Sequence, residues 1–219
     1  MSVRTIRLLA FGGALVLAAS LAGCGGSKKS APATTRKRHG CVVLAKPPAR
    51  STTASKPKAL LAAGVHYDVT LTTNCGAFTI RLDQAQSPHA VASFVALVRS
   101  GFFDKTVFHR IAPGFVIQGG DPTETGAGGP GYATVDTPPA GAKYTFGVVA
   151  MAKTDVQPPG TAGSQFFVVT APDANLSPDY AIIGRVVSGL AVVKRIGLLG
   201  NAEQLPTMVV EIEKATVAS

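Results

Sequence analysis

The stretch Phe108-His109-Arg110-Ile111-Ala112-Pro113-Gly114-Phe115-Val116-Ile117-Gln118-Gly119-Gly120-Asp121 decides the fold. It sets one cation, one phenyl ring and one amide close together, between two apolar runs and ahead of a glycine turn. Read as a hairpin, it inherits the strand side-chain period of two. Phe115 and Val116 then point to opposite sides, and Val116 and Gln118 share a face. Arg110, on the preceding strand, reaches the same rim. A site of this kind holds a peptide and offers it one fixed charge, with no nucleophile in reach.

Working outward, Tyr67–Thr72 and Ala77–Leu82 alternate around Asn74-Cys75-Gly76, which predicts a β-hairpin. Ser87 is expected to cap a helix with Pro88 at its first position. Ala90, Val91, Phe94, Val95, Leu97 and Val98 supply its apolar face, and Gly101 ends it. Further strands are expected at Thr106–Ile111, Phe115–Gly119, Thr145–Ala152, Ser164–Thr170, Ala181–Val187 and Met208–Ala215, with a short helix at Leu190–Ile196. Many strands with two helices predict a mainly β domain: a closed antiparallel barrel capped at its ends, without exposed sheet edges. Residues 65–219 are long enough for one such domain with its own core.

The opening stretch closely resembles the signature of the cyclophilins, the cyclosporin-sensitive peptidyl-prolyl cis-trans isomerases. Ser93–Leu97, Gly101–Asp104, Phe146–Ala152, Gly163–Thr170 and Ala181–Val186 are similar to the family's other blocks, in order and spacing, across about residues 65–217. The resemblance implies a closed eight-stranded cyclophilin-like barrel with two capping helices. It also implies isomerase activity on proline-containing unfolded or exported polypeptides, with no cofactor and no metal. By resemblance, Arg110 and Gln118 are the catalytic pair. Phe115, Val116, Phe167, Leu176 and Tyr180 line the proline pocket. Gly126, Ala152, Lys153, Thr154 and Gln165 line the rest of the substrate groove. The sequence departs from the usual family pattern at Val116 (commonly Met), Lys153 (Asn), Asn175 (Trp) and Tyr180 (His). The tryptophan position matters most for cyclosporin, so the resemblance does not carry drug sensitivity with it. A rival reading of another class is a non-catalytic surface chaperone that merely holds proline-containing segments.

Other chemistries find no support in the residues. Gly126–Gly131 lacks the Lys-Ser/Thr of a phosphate loop, and no helix is expected after it. His39, His66, His89 and His109 lack metal-ligand spacing, and Ser164 lacks a recognisable nucleophile setting. His109 is expected to pack, turned away from Arg110.

The ends carry a different message. Arg4 and Arg7 precede the apolar run Leu8–Ala19, and Leu21-Ala22-Gly23-Cys24 reads as a bacterial lipobox. Residues 1–23 are thus expected as a lipoprotein signal, with acylation at Cys24 and a lipid anchor at the extracytoplasmic face of the cell membrane. Residues 25–64 hold nine Lys and Arg and no acid, and are expected to form a disordered basic tether. The chain's formal charge of +9 therefore belongs to its leader and tether, while 65–219 carry −2, which argues against nucleic-acid binding. Cys41 and Cys75 form a possible disulfide in an exported protein, with Cys75 expected to be exposed in its turn. The domain is expected to act as a monomer.

Overall fold

A computed structural model describes residues 36–219; the expected signal and the expected acylation site Cys24 lie outside them. In chain order the elements are β1 (Lys37–Arg38), β2 (Cys41–Val42), β3 (Asp68–Thr73), β4 (Gly76–Leu82), α1 (Pro88–Arg99), β5 (Thr106–Val107), β6 (Arg110–Ala112), β7 (Val116–Gly119), β8 (Thr134–Val135), β9 (Val148–Met151), β10 (Thr161–Ala162), β11 (Phe166–Val169), β12 (Ile182–Ser188), α2 (Leu190–Gly197) and β13 (Glu211–Ala218). Nine strands join in the order β5-β13-β3-β4-β12-β9-β11-β7-β6, while β1–β2 and β8–β10 form separate small pairs.

The sheet is an open, curled half-barrel, which corrects the expected closed eight-stranded barrel. The single strand expected at Thr106–Ile111 breaks at Phe108-His109, and its halves become the two edges of the sheet. No ladder joins β5 to β6. The seam is held by Phe108 N–H to Val210 O at 2.9 Å, Ile111 N–H to Gln204 O at 2.9 Å, and one bridge between Val107 and Asp121. Short edges of this kind leave little unpaired backbone to recruit another chain.

The central strands are buried on both faces, and their period of two sorts residues between two cores. Ile117, Val149, Met151, Phe166, Val168 and Ile183 join Val91, Phe94 and Val95 of α1 in the inner core. Phe94 and Phe166 meet edge to face at 5.5 Å. Their neighbours Val116, Val148, Ala150, Phe167, Val169 and Ile182 form an outer cluster under Phe115, Leu176 and Tyr180. The outer cluster is the floor of the site described below.

Helix α1 begins with Pro88 as expected, but Ser87 makes no side-chain cap bond. The buried Asp136 caps it instead: Oδ2 accepts from Ala90 N–H at 2.6 Å and Oδ1 lies 2.8 Å from His89 Nδ1. Gly101, at φ 71°, closes the helix with Gly101 N–H to Val98 O and Phe102 N–H to Leu97 O, both 3.0 Å.

Residues 36–64 depart from the expected disordered tether. They run as an extended strap over the domain. Arg50 N–H donates to Pro122 O at 2.8 Å, Ala54 N–H to Pro130 O at 2.9 Å, and Lys46 pairs with Glu124 at 2.7 Å. Ala54, Leu61 and Val65 pack on the inner core. Cys41 and Cys75 are disulfide-bonded. Cys75 is buried rather than exposed, because the β1–β2 hairpin covers its turn and Asn74 Nδ2 donates to Val42 O at 2.7 Å. Beyond the β1–β2 hairpin the strap backbone bonds to loops, not to strands, so it shows no sequence period.

Candidate active site

Register brings the site together. Arg110 on β6 pairs with Gln118 on β7, and Gln118 pairs with Phe167 on β11. Phe167 pairs in turn with Ala150 on β9. One row across four strands thus carries a cation, an amide and a phenyl ring to one place. Gln165, one residue before β11, completes the polar edge.

The polar groups form one chain of hydrogen bonds. Arg110 Nη1 donates to Gln118 Oε1 at 3.1 Å, and Gln118 Nε2 donates to Gln165 Oε1 at 3.0 Å. Gln165 Nε2 then donates to Gly126 O at 2.9 Å and Gly128 O at 3.0 Å. The guanidinium carbon lies 5.7 Å from the centre of the Phe115 ring, within cation–π range. Arg110 Nε donates to Gln204 Oε1 at 2.8 Å.

The glycine loop that receives Gln165 is organised by the fully buried Asp121. Its Oδ1 accepts from Thr123 N–H and O–H, and its Oδ2 accepts from Gly126 N–H at 2.7 Å and Gly128 N–H at 3.1 Å. Burial pushes the Asp121 carboxyl upward, but these bonds outweigh it and hold the group below its ordinary value. A Cβ at Gly128 would collide with Asp121 Oδ1, so the loop needs glycine there.

The apolar half of the site is aromatic. Phe167 and Tyr180 meet edge to face at 5.5 Å, and Tyr144 stands behind both, 6.0 Å from Tyr180. Tyr144 O–H donates to Tyr180 O at 2.8 Å and accepts from Tyr180 N–H at 3.0 Å. Burial raises both phenol pKa values, so both rings are neutral walls. Val116 is buried in the floor, and Phe115 and Leu176 are half-buried around it. Lys153 Nζ lies 5.6 Å from the Tyr180 ring centre. Ala152 N–H donates to Gln165 O at 2.9 Å, and exposed Thr154 donates its N–H to Gln157 Oε1 at 2.8 Å. Asn175 is exposed in a left-handed turn at φ 51°, its N–H bonded to Asp173 Oδ1. His109 has both ring nitrogens buried without a hydrogen-bond partner, and burial holds its pKa below the ordinary imidazole value.

The expected site residues therefore gather on one face. Three others escaped sequence reading. Tyr144 sits just before an expected strand and carried a weak aromatic signal. Asp121 closes the signature but gave no hint of its four donors. Gln204, in an exposed turn 94 residues from Arg110, gave none at all. Among the described residues no cluster of His, Cys, Asp or Glu could hold a metal ion. A separate cavity of about 1220 Å³, lined in part by Leu61, Arg81, Gln84 and Arg185, reaches Val148 and Ile182 of the outer cluster but none of Arg110, Phe115, Gln118, Gln165 or Tyr180.

Comparison with known proteins agrees with this geometry. The family model described as cyclophilin type peptidyl-prolyl cis-trans isomerase matches residues 68–217. The chain is 41% identical over 155 residues to peptidyl-prolyl cis-trans isomerase-like 1 of Gibberella zeae, covering 68% of this chain and 94% of that protein. It is 41% identical over 134 residues to peptidyl-prolyl cis-trans isomerase CYP18-2 of Arabidopsis thaliana, covering 59% and 80%. The crystal structure of a Cryptosporidium parvum cyclophilin type peptidyl-prolyl cis-trans isomerase superposes with a TM-score of 0.65 at 32% identity, covering 71% of this chain and 99% of that one. A second structure of that protein, determined in the presence of the dipeptide Ala-Pro, gives 0.64 at 32% identity over 69% and 99%.

Proposed function

The chain belongs to the cyclophilin-type peptidyl-prolyl cis-trans isomerase family and is an isomerase of X–Pro bonds, and we propose that Arg110 is its electrophilic donor and that it works on exported polypeptides at a membrane surface. The observation that carries the donor assignment is the Arg110 fork, held by Gln118 at 3.1 Å over the half-buried Phe115.

The X–Pro amide resists rotation because resonance gives its C–N bond double-bond character, a barrier of about 18–20 kcal/mol. Twisting it breaks conjugation, and the prolyl nitrogen becomes pyramidal and recovers its lone pair. A guanidinium N–H beside that nitrogen gains an acceptor only in the twisted state. This is differential binding of the transition state, and it needs no covalent step. Phe115, Val116, Phe167, Leu176 and Tyr180 hold the proline ring in an apolar setting. Gln165, Ala152, Lys153, Thr154 and the Gly126 loop flank the chain that precedes it. Gln118 fixes Arg110, so the donor is paid for in advance of the reaction.

Arg110→Ala should cut kcat/KM for a prolyl peptide by about two orders of magnitude while leaving the fold intact, because one preorganised donor supplies about 2.7–4 kcal/mol in comparable sites. Arg110→Lys should recover part, since a point charge does not replace a planar fork. NMR exchange on the peptide, with thermal melting as the fold control, checks both. A full rate in Arg110→Ala would remove Arg110 as the donor.

The membrane location is supported by the lipobox at Cys24 and the basic residues that follow it. The relatives named above are eukaryotic and align with the domain, so the anchor stands on the leader sequence alone. No described helix is long and apolar enough to cross a membrane. Mass spectrometry of the mature amino terminus tests this: acylated Cys24 is expected, and an unmodified terminus elsewhere would refute it. We propose likewise that the domain acts as a monomer; sedimentation at working concentration tests that.

A further inference from the structure

The Arg110 fork is gripped from two sides, and only one grip belongs to the signature. Gln118 takes Nη1 and Gln204 takes Nε. Gln204 lies in the turn between α2 and β13, remote in sequence from the rest of the site. Among the described residues Nη2 donates to no protein acceptor. A planar guanidinium with two of its three nitrogens engaged, by carbonyl oxygens from separate elements, has lost its freedom to turn about its long stem.

The turn that presents Gln204 is rigid without help from that side chain. Asn201 N–H donates to Leu205 O at 2.9 Å, Gln204 N–H to Asn201 O at 3.0 Å, and Leu205 N–H to Asn201 Oδ1 at 2.7 Å. Thr207 N–H closes the base on Leu199 O at 2.7 Å. The turn is also docked on β6 beside the catalytic position, through Ile111 N–H to Gln204 O at 2.9 Å. Gln204 thus touches two successive residues of β6: its backbone sets the strand and its side chain sets the guanidinium. Its left-handed backbone, φ 62°, is a strained setting for a side-chain-bearing residue, and the docking holds it there.

We propose that Gln204 is a positioning residue for isomerisation: it holds Arg110 Nε so that Nη2 is left as the donor for the prolyl nitrogen. This rests on Arg110 being the donor. The contact is solvent-exposed, so it adds little to stability. Its effect is on where the donor points.

The test compares Gln204→Met, which keeps length but removes the acceptor, with Gln204→Glu, which keeps an acceptor. Each is made in the wild-type and Arg110→Ala backgrounds. Gln204→Met is expected to lower kcat by about three- to ten-fold, the order of one hydrogen bond, with KM and melting temperature unchanged. It should also shift the Arg110 Nε–H resonance. Gln204→Glu should return most of the rate, and neither change should alter the residual rate of Arg110→Ala. An unchanged rate in Gln204→Met, beside a crippled Arg110→Ala, overturns the role of Gln204 and leaves the donor standing. A loss that Gln204→Glu does not repair, or one accompanied by a fall in melting temperature, overturns it as well and makes the residue structural. A full rate in Arg110→Ala would instead remove the donor, and the positioning role with it.

Discussion

His109 stands beside the donor yet is built as part of the packing. Its ring nitrogens are buried and make no hydrogen bond of good geometry, and its pKa is lowered mainly by burial, with Asp121, Glu124 and the neighbouring Gln165 side chain acting upward and Arg110 downward. The neutral ring is therefore the folded form. In the unfolded chain the imidazole titrates near its ordinary value, about 6.5. As pH falls below that value, the unfolded state takes up a proton that the folded state refuses, so stability declines until the lowered folded pKa is passed. His109→Leu should flatten the plot of melting temperature against pH below about 6.5, relative to wild type. Parallel plots would show that His109 does not titrate in this way. The sequence indicated that His109 packs away from Arg110, because neighbours on a strand face opposite sides. Gln204 was invisible for the opposite reason: its contact with Arg110 depends on where a turn docks, not on any local pattern.

At the scale of elements, period and punctuation carried most of the information. The alternation of Phe166-Phe167-Val168-Val169 sorts cleanly into the inner and outer cores, and Pro88 and Gly101 mark the ends of α1. What failed was the cap. Ser87 has the residue type of an N-cap, but its hydroxyl is buried without a partner, and Asp136 does the capping from a distant loop. The two residues should respond differently. Ser87→Ala removes an unsatisfied group and should leave stability within about 0.5 kcal/mol of wild type. Asp136→Ala leaves Ala90 N–H without its acceptor inside the fold and should cost about 1–2 kcal/mol. Denaturant titration of both variants decides it; a larger cost at Ser87 than at Asp136 would reverse the assignment. The pair β8–β10 was equally illegible, because two residues per strand make no period.

Over the whole molecule, the family match begins at residue 68, where β3 opens the nine-stranded sheet's share of the sequence, and the strap at 36–64 lies before it. Its Pro, Ser, Thr and Lys content looks like a spacer, yet contacts along its length bind it, among them the Cys41–Cys75 bond, Arg50 on Phe102 O at 2.7 Å, and Ala54 on Pro130 O at 2.9 Å. The disulfide joins residues 34 apart, and by the loop-entropy estimate such a closure is worth about 3–4 kcal/mol. For a domain of this size about 1 kcal/mol moves Tm by roughly 2–4 °C. The Cys41→Ser/Cys75→Ser double variant should therefore melt roughly 6–16 °C below the oxidised protein. Activity well below that temperature should stay within about two-fold, because the hydrogen-bond chain from Arg110 to the glycine loop contains no strap residue, and a two-fold change is under about 0.4 kcal/mol. Both cysteines are buried, at 0% and 2% exposure, so mild reductant should leave the native bond intact and open it only as the protein unfolds. Melting curves with and without reductant, alongside the double variant, measure all of this. Coincident melting of the variant and the oxidised protein would mean that the strap is held by its hydrogen bonds alone and that the disulfide adds nothing to the fold.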